Sequence, residues 1–232
     1  MFSEFELEKI QHQILSNNVG SCIPGWVFDW MQSTIKLFPT GSKIVELGTF
    51  VGGTTRLLAL ANKDKEVHSI DLNIFNESFS NIKILDYIGT KFNLQNLTPE
   101  KVLILQKLHI EDLPNVKLYT GESTTIDVDS IAVAFIDDNK EEKGMLENLE
   151  YLWPRIIDGG VIFADDIDSP QIYNAYVKFA KKQNIEITFY SKAVKLVKKD
   201  TSRQIRDLSF QDTLVFNCPR TYNIDETTVT RY

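Results

Sequence analysis

Strand-like apolar runs bounded by turn residues recur at Lys43–Leu47, Glu66–Asp71, Val116–Thr120, Ile131–Asp137 and Val161–Asp165, with helix-length amphipathic segments between most of them. Parallel strands need a crossover, usually helical, so this alternation predicts an α/β fold: a parallel sheet covered by helices on both faces. The 232 residues, 43% of them hydrophobic, suit one domain spanning residues 1–232 with a substantial core. Residues 1–42 are expected to form a helical cap, with one helix from Pro24 to Phe38 stopped by Pro39-Thr40-Gly41. More than forty residues separate the second strand from the third, far beyond a single crossover. Residues 74–112 are therefore read as an α-helical insertion, with helices at about Asn81–Leu94 and Thr98–Leu108. Thr98 is suited to N-capping the second of these, and Pro99 to its first position. Its apolar residues, among them Ile82, Leu85, Ile88, Phe92, Val102, Leu105 and Leu108, must bury against the site or a second subunit, and we expect a homo-oligomer. After the fifth strand, Ser169-Pro170 opens a helix to about Gln183. Residues 185–232 then carry strands at Ile185–Tyr190, Ala193–Val197 and Thr213–Phe216, followed by a tail from Pro219 that is either an extended arm or disordered.

The net charge of −7 opposes binding to a phosphate backbone, so no nucleic-acid partner is expected. From Lys178 to Arg206 nine Lys and Arg face only Glu186 and Asp200, which reads first as a solvated helix face and strand edge. No apolar run approaches a membrane span, and the acidic start Met1-Phe2-Ser3-Glu4-Phe5-Glu6 is unlike a secretory signal, so a cytoplasmic protein with no membrane partner is expected. Cys22 and Cys218 stand alone, and His12, His68 and His109 share no ligand spacing, so any metal must be held by oxygen.

The sharpest local signal is Ile44-Val45-Glu46-Leu47-Gly48-Thr49-Phe50-Val51-Gly52-Gly53-Thr54-Thr55-Arg56, a strand entering a glycine turn and then a helix. Gly48 permits a tight turn and close ligand approach, and the helix start offers N–H groups to an anion. The spacing G-x-x-x-G-G departs from the dinucleotide G-x-G-x-x-G, which disfavours a nicotinamide dehydrogenase and favours a carboxylate ligand. Asp71, at the end of the next strand, is placed to accept hydrogen bonds from a ribose or to cap the following turn.

These segments, with Tyr119-Thr120-Gly121-Glu122-Ser123, resemble motifs of the class I S-adenosylmethionine-dependent methyltransferases, above all metal-dependent O-methyltransferases of the catechol, caffeoyl-CoA and macrocin types. The resemblance covers roughly residues 24–197, the insertion excepted. It implies a Rossmann-like, seven-stranded, mostly parallel sheet. It also implies that Glu46, Gly48 and Phe50 line the methionine and ribose side, that Thr54 meets the cofactor carboxylate, and that Asp71 holds the ribose diol. Glu122 and Ser123 would flank adenine, while Gly52 and Gly53 shape the turn.

The fourth and fifth strands end in Asp137-Asp138-Asn139-Lys140 and Asp165-Asp166. If these strands are neighbours, Asp137, Asp165 and Asp166 converge at one sheet edge, where like charges call for a hard cation such as Mg²⁺, or Mn²⁺ or Ca²⁺. The resemblance assigns the same three acids as metal ligands and Lys140 as the base of the catechol type. The acid used by the macrocin type is replaced here by Asn139. Lys140 also reads as a solvated first-turn residue. The function so implied is methylation of a hydroxyl on a small molecule, a vicinal diol, catechol-like ring or sugar, in natural-product biosynthesis. The alternative is a non-catalytic cofactor-binding or scaffold protein with the same fold.

Overall fold

The computed structural model describes residues 3–15, 23–72, 98–138, 140–199 and 220–222, which fall into two compact units, Met1–Ile126 and Asp127–Tyr232. In the first unit, helices α1 (Glu4–Leu15) and α2 (Gly25–Ile35) precede β1 (Lys43–Leu47), α3 (Gly53–Ala61), β2 (Glu66–Asp71), α4 (Pro99–Ile110) and β3 (Val116–Thr120). The strands lie in the order β3-β2-β1, all parallel, with Glu46 in register with Ser69 and Asp71 with Thr120. Four of the five β1 residues are buried, as expected for a strand covered on both faces, whereas β3 is largely exposed. Helix α2 follows Pro24 and buries Val27, Trp30, Met31 and Ile35.

Helix α4 is the second helix expected in the insertion. Thr98 caps it by accepting from Lys101 N, and Pro99 occupies its first turn. Val102 and Leu105 pack with Ile10 and Ile14 of α1 and with Val51, so their apolar surface is buried within the first unit itself. Each such side chain contributes about 1.5–3 kcal/mol when fully buried. The helix expected at Asn81–Leu94 lies outside the described residues.

The second unit contains β4 (Ile131–Ile136), α5 (Glu142–Leu152), β5 (Ile156–Ala164), α6 (Pro170–Gln183), β6 (Ile187–Tyr190), β7 (Ala193–Val197) and β8 (Arg220–Tyr222). Strands β4 and β5 are parallel, β7 runs antiparallel to both β5 and β6, and β8 pairs antiparallel with β6. All six β4 residues are buried. Strand β5 starts five residues before the expected Val161, because Gly159 and Gly160 continue it instead of forming a turn. A register shift between Ile131 and Val133 accommodates them. Together the units supply seven of the strands expected from the apolar runs, and β8 adds a short one within the expected tail. The strand expected at Thr213–Phe216 and both cysteines lie outside the described residues. Lys178 and Lys182 of α6 pair with Glu142 and Glu150 of α5, and Lys192 pairs with Asp168, so three of the nine basic residues of the stretch are locally neutralised. Among the described residues no helix is long and apolar enough to cross a membrane.

Candidate functional site

The glycine turn carries three left-handed residues in five: Gly48 at φ +99°, Phe50 at +47° and Gly52 at +84°. Glycine adopts this region freely, but Phe50 carries a steric cost of about 1–2 kcal/mol, so its neighbours must hold it there. Two hydrogen bonds do so. Phe50 N–H donates to Asp71 Oδ2 at 2.7 Å, and Gln106 Nε2 donates to the Phe50 carbonyl at 2.9 Å. Gly48 N–H donates to Ile70 O at 2.9 Å, carrying the β1–β2 ladder past the end of β1. Helix α3 then begins after Gly52 with no side-chain cap, an end that favours an anionic ligand. Thr54 sits half-buried in its first turn.

Beneath this turn Glu46 is fully buried. Its Oε2 accepts from the Thr55 hydroxyl and, at 2.5 Å, from Ser69 Oγ, which also lies 2.6 Å from Thr49 Oγ1. Glu46 therefore braces the turn from the interior. Thr49, Thr55 and Ser69 belong to this hydrogen-bond network and were missed by the sequence reading. The β1–β2 register, which sets Glu46 opposite Ser69, is the signal that finds Ser69. Gly121 N–H donates to Asp71 O at 3.0 Å, bringing the end of β3 beside Asp71. Glu122 follows, exposed, and half-buried Ser123 opens a 3-10 turn over Ser123–Thr125. The structure thus joins Phe50 directly to Asp71, ties Gly48 to the adjacent Ile70, and leads Glu122 and Ser123 in through Gly121.

In the second unit Ile136 and Ala164 are in register, so Asp137 and Asp165 follow the ends of neighbouring strands. Lys140 Nζ lies 2.5 Å from Asp137 Oδ1 and 2.8 Å from Asp166 Oδ2. Asp166 has a left-handed backbone at φ +58°. Burial alone would lower the Lys140 pKa, but the charge and hydrogen bond of Asp137, then those of Asp166, hold it above the ordinary lysine range. Burial pushes Asp137 up, with Lys140 opposing, and pushes Asp165 up to about 6, reinforced by the charges of Asp137 and Asp166. Asp165 Oδ1 is buried with no hydrogen-bond partner among the described residues. Asp138, also passed over in the sequence, accepts from Asn148 Nδ2 at 2.9 and 3.1 Å, tying the loop to α5. Among the described residues no three His, Cys, Asp or Glu side chains form a ready metal site. The positive charge between Asp137 and Asp166 is the Lys140 ammonium. The donors are nonetheless hard oxygens, and the orphaned Asp165 Oδ1 suits a cation.

A family model described as a methyltransferase domain matches residues 45–167, a little over half of the chain, and no curated protein matches the sequence significantly. Among solved structures, a provisionally named caffeoyl-CoA O-methyltransferase from Staphylococcus aureus is 15% identical at a TM-score of 0.52. That match covers 84% of this chain and 93% of the other. A calicheamicin methyltransferase is 16% identical at 0.51, over 85% and 94%. A provisionally named methyltransferase from Streptococcus mutans, solved with S-adenosylhomocysteine, is 14% identical at 0.51, over 74% and 97%. At these identities the likeness establishes the Rossmann-like fold, the one expected from the sequence.

Proposed function

The chain belongs to the methyltransferase domain family, and from that premise we propose that it is an S-adenosylmethionine-dependent O-methyltransferase acting on a hydroxyl of a small molecule. The observation that carries the choice of oxygen is the Lys140 cluster with Asp137 and Asp166. A hydroxyl, unlike a neutral amine, must lose a proton to become a strong nucleophile, and a lysine among carboxylates that can exchange it for a metal ion supplies both needs. In this reading Gly48, Phe50, Gly52, Thr54, Asp71, Glu122 and Ser123 hold the cofactor, while Glu46 keeps their turn in shape. Asp137, Asp165 and Asp166 would hold Mg²⁺, Mn²⁺ or Ca²⁺. Two acceptor oxygens chelated by one ion favour a vicinal diol, a catechol-like ring or a sugar, acceptors common in natural-product biosynthesis.

When bound, S-adenosylmethionine supplies an electrophilic methyl group and the ion supplies positive charge that lowers the acceptor's proton affinity. Lys140 receives the acceptor proton at Nζ, for which it must first be neutral. Its two carboxylate partners oppose that. If Asp137 and Asp166 held a cation, the bonds that keep the ammonium charged would be lost, and the ion's positive charge beside Nζ would draw its pKa down.

Thermal-shift titration tests the cofactor, because a ligand that binds only the native state raises its melting temperature. Stabilisation by S-adenosylhomocysteine and none by NAD is expected, and the reverse pattern would reject the reading. Formation of S-adenosylhomocysteine with a diol panel, suppressed by chelator and restored by Mg²⁺, tests the chemistry. The tight pairing of Lys140 favours one other reading, a cofactor-binding scaffold without turnover. Cofactor binding with no methyl transfer across the panel would select it.

A further inference from the structure

We infer that Gln106 is a positioning residue for the cofactor-binding turn, setting the left-handed backbone at Phe50 on which the proposed site is built. The inference rests on the cofactor reading above. Phe50 is gripped from both sides, its N–H by Asp71 and its carbonyl by Gln106. A return of Phe50 to an ordinary negative φ would swing both groups and break the contact to Asp71, the residue proposed to hold the ribose. Gln106 can oppose this because it stands on a fixed platform. It is buried in α4, whose Val102 and Leu105 pack against α1 and Val51. Past the end of α4, Asp112 takes a two-pronged ion pair from Arg56 at 2.6 and 3.1 Å, and Arg56 also donates to His109 O at 2.8 Å. The turn and α4 are also in close contact at Gly52, where a Cβ would stand 3.1 Å from Ile110 Cδ1, 3.2 Å from His109 Cβ and 3.3 Å from Gln106 O. The segment between β2 and β3, expected from sequence to bury against the site or a second subunit, thus includes a brace for the turn.

Calorimetry of S-adenosylhomocysteine binding to the full chain tests this with two variants. Gln106→Met keeps the volume and removes the donor, and is expected to bind about tenfold more weakly at every pH. Gln106→Glu cannot donate while ionised. Burial raises the pKa of such a carboxyl, and once protonated it donates an O–H to the Phe50 carbonyl. Its deficit relative to the wild-type protein should therefore be at least about tenfold at pH 8 and shrink toward parity near pH 5.5. Wild-type affinity in the Met variant, or a Glu deficit that does not change with pH, would overturn the positioning role while leaving the cofactor reading intact. A wild-type protein that binds no S-adenosylhomocysteine at either pH would overturn the cofactor reading and this inference with it.

Discussion

Lys140 Nζ lies 2.5 Å from Asp137 Oδ1, so the group proposed to take the acceptor's proton is hydrogen-bonded to a proposed metal ligand. The ammonium and a divalent ion therefore compete for the same carboxylate. Replacing Lys140 with Met should tighten Mn²⁺ binding several-fold while lowering the methyl-transfer rate by about 10²–10⁴, the usual contribution of a positioned base. Electron paramagnetic resonance titration and single-turnover assays read the two effects. A rate equal to the wild type would remove Lys140 from the chemistry.

His109 is fully buried in α4 with its Nδ1 against Leu105 O at 2.8 Å. Burial, aided by the Arg56 charge and opposed by the Leu105 bond, lowers its pKa to about 4. A histidine whose folded pKa lies below its unfolded value of 6.5 gives stability that is fully present above pH 6.5 and lost as pH falls toward 4. The loss amounts to at most roughly 3 kcal/mol. Urea unfolding across this window should show a steeper decline for the wild-type protein than for His109→Leu. Parallel curves would mean that His109 does not set the acid limit.

Gly52 and Gly41 both have a left-handed backbone, at φ +84° and +79°, but only Gly52 has close neighbours where a Cβ would stand. Alanine at Gly41 should cost about 1 kcal/mol from backbone strain alone. Alanine at Gly52 should cost about 2–4 kcal/mol, since it adds contact with α4, and should weaken S-adenosylhomocysteine binding as well. Equal unfolding midpoints for the two variants would contradict the packing between the turn and α4.

Periodicity and punctuation made much of this protein legible from its sequence. The spans of β1, β2 and β3 follow from apolar runs ending at turn residues, because each run reports its own local backbone conformation. The glycine turn was legible for the same reason: Gly48 and Gly52 mark positions where the chain needs a left-handed backbone. The early start of β5 was missed because Gly159-Gly160 has the local chemistry of a turn, and only pairing with neighbouring strands carries the sheet through it as an irregularity, with Gly159 at φ +77°. The bracing role of Glu46 was hidden as well, since Ser69 lies 23 residues away and meets it only through the register of two strands. Gln106 reaches Phe50 across 56 residues, and the protonation of Lys140 depends not only on Asp137, three residues before it, but on Asp166, brought to it from the end of another strand. The sequence by itself determined which segments become strands, helices and turns, because those choices depend on residues a few places apart. Only the tertiary structure decided which side chains share a hydrogen bond or a charge, because register and packing bring distant residues to within the 3 Å or so over which those forces act.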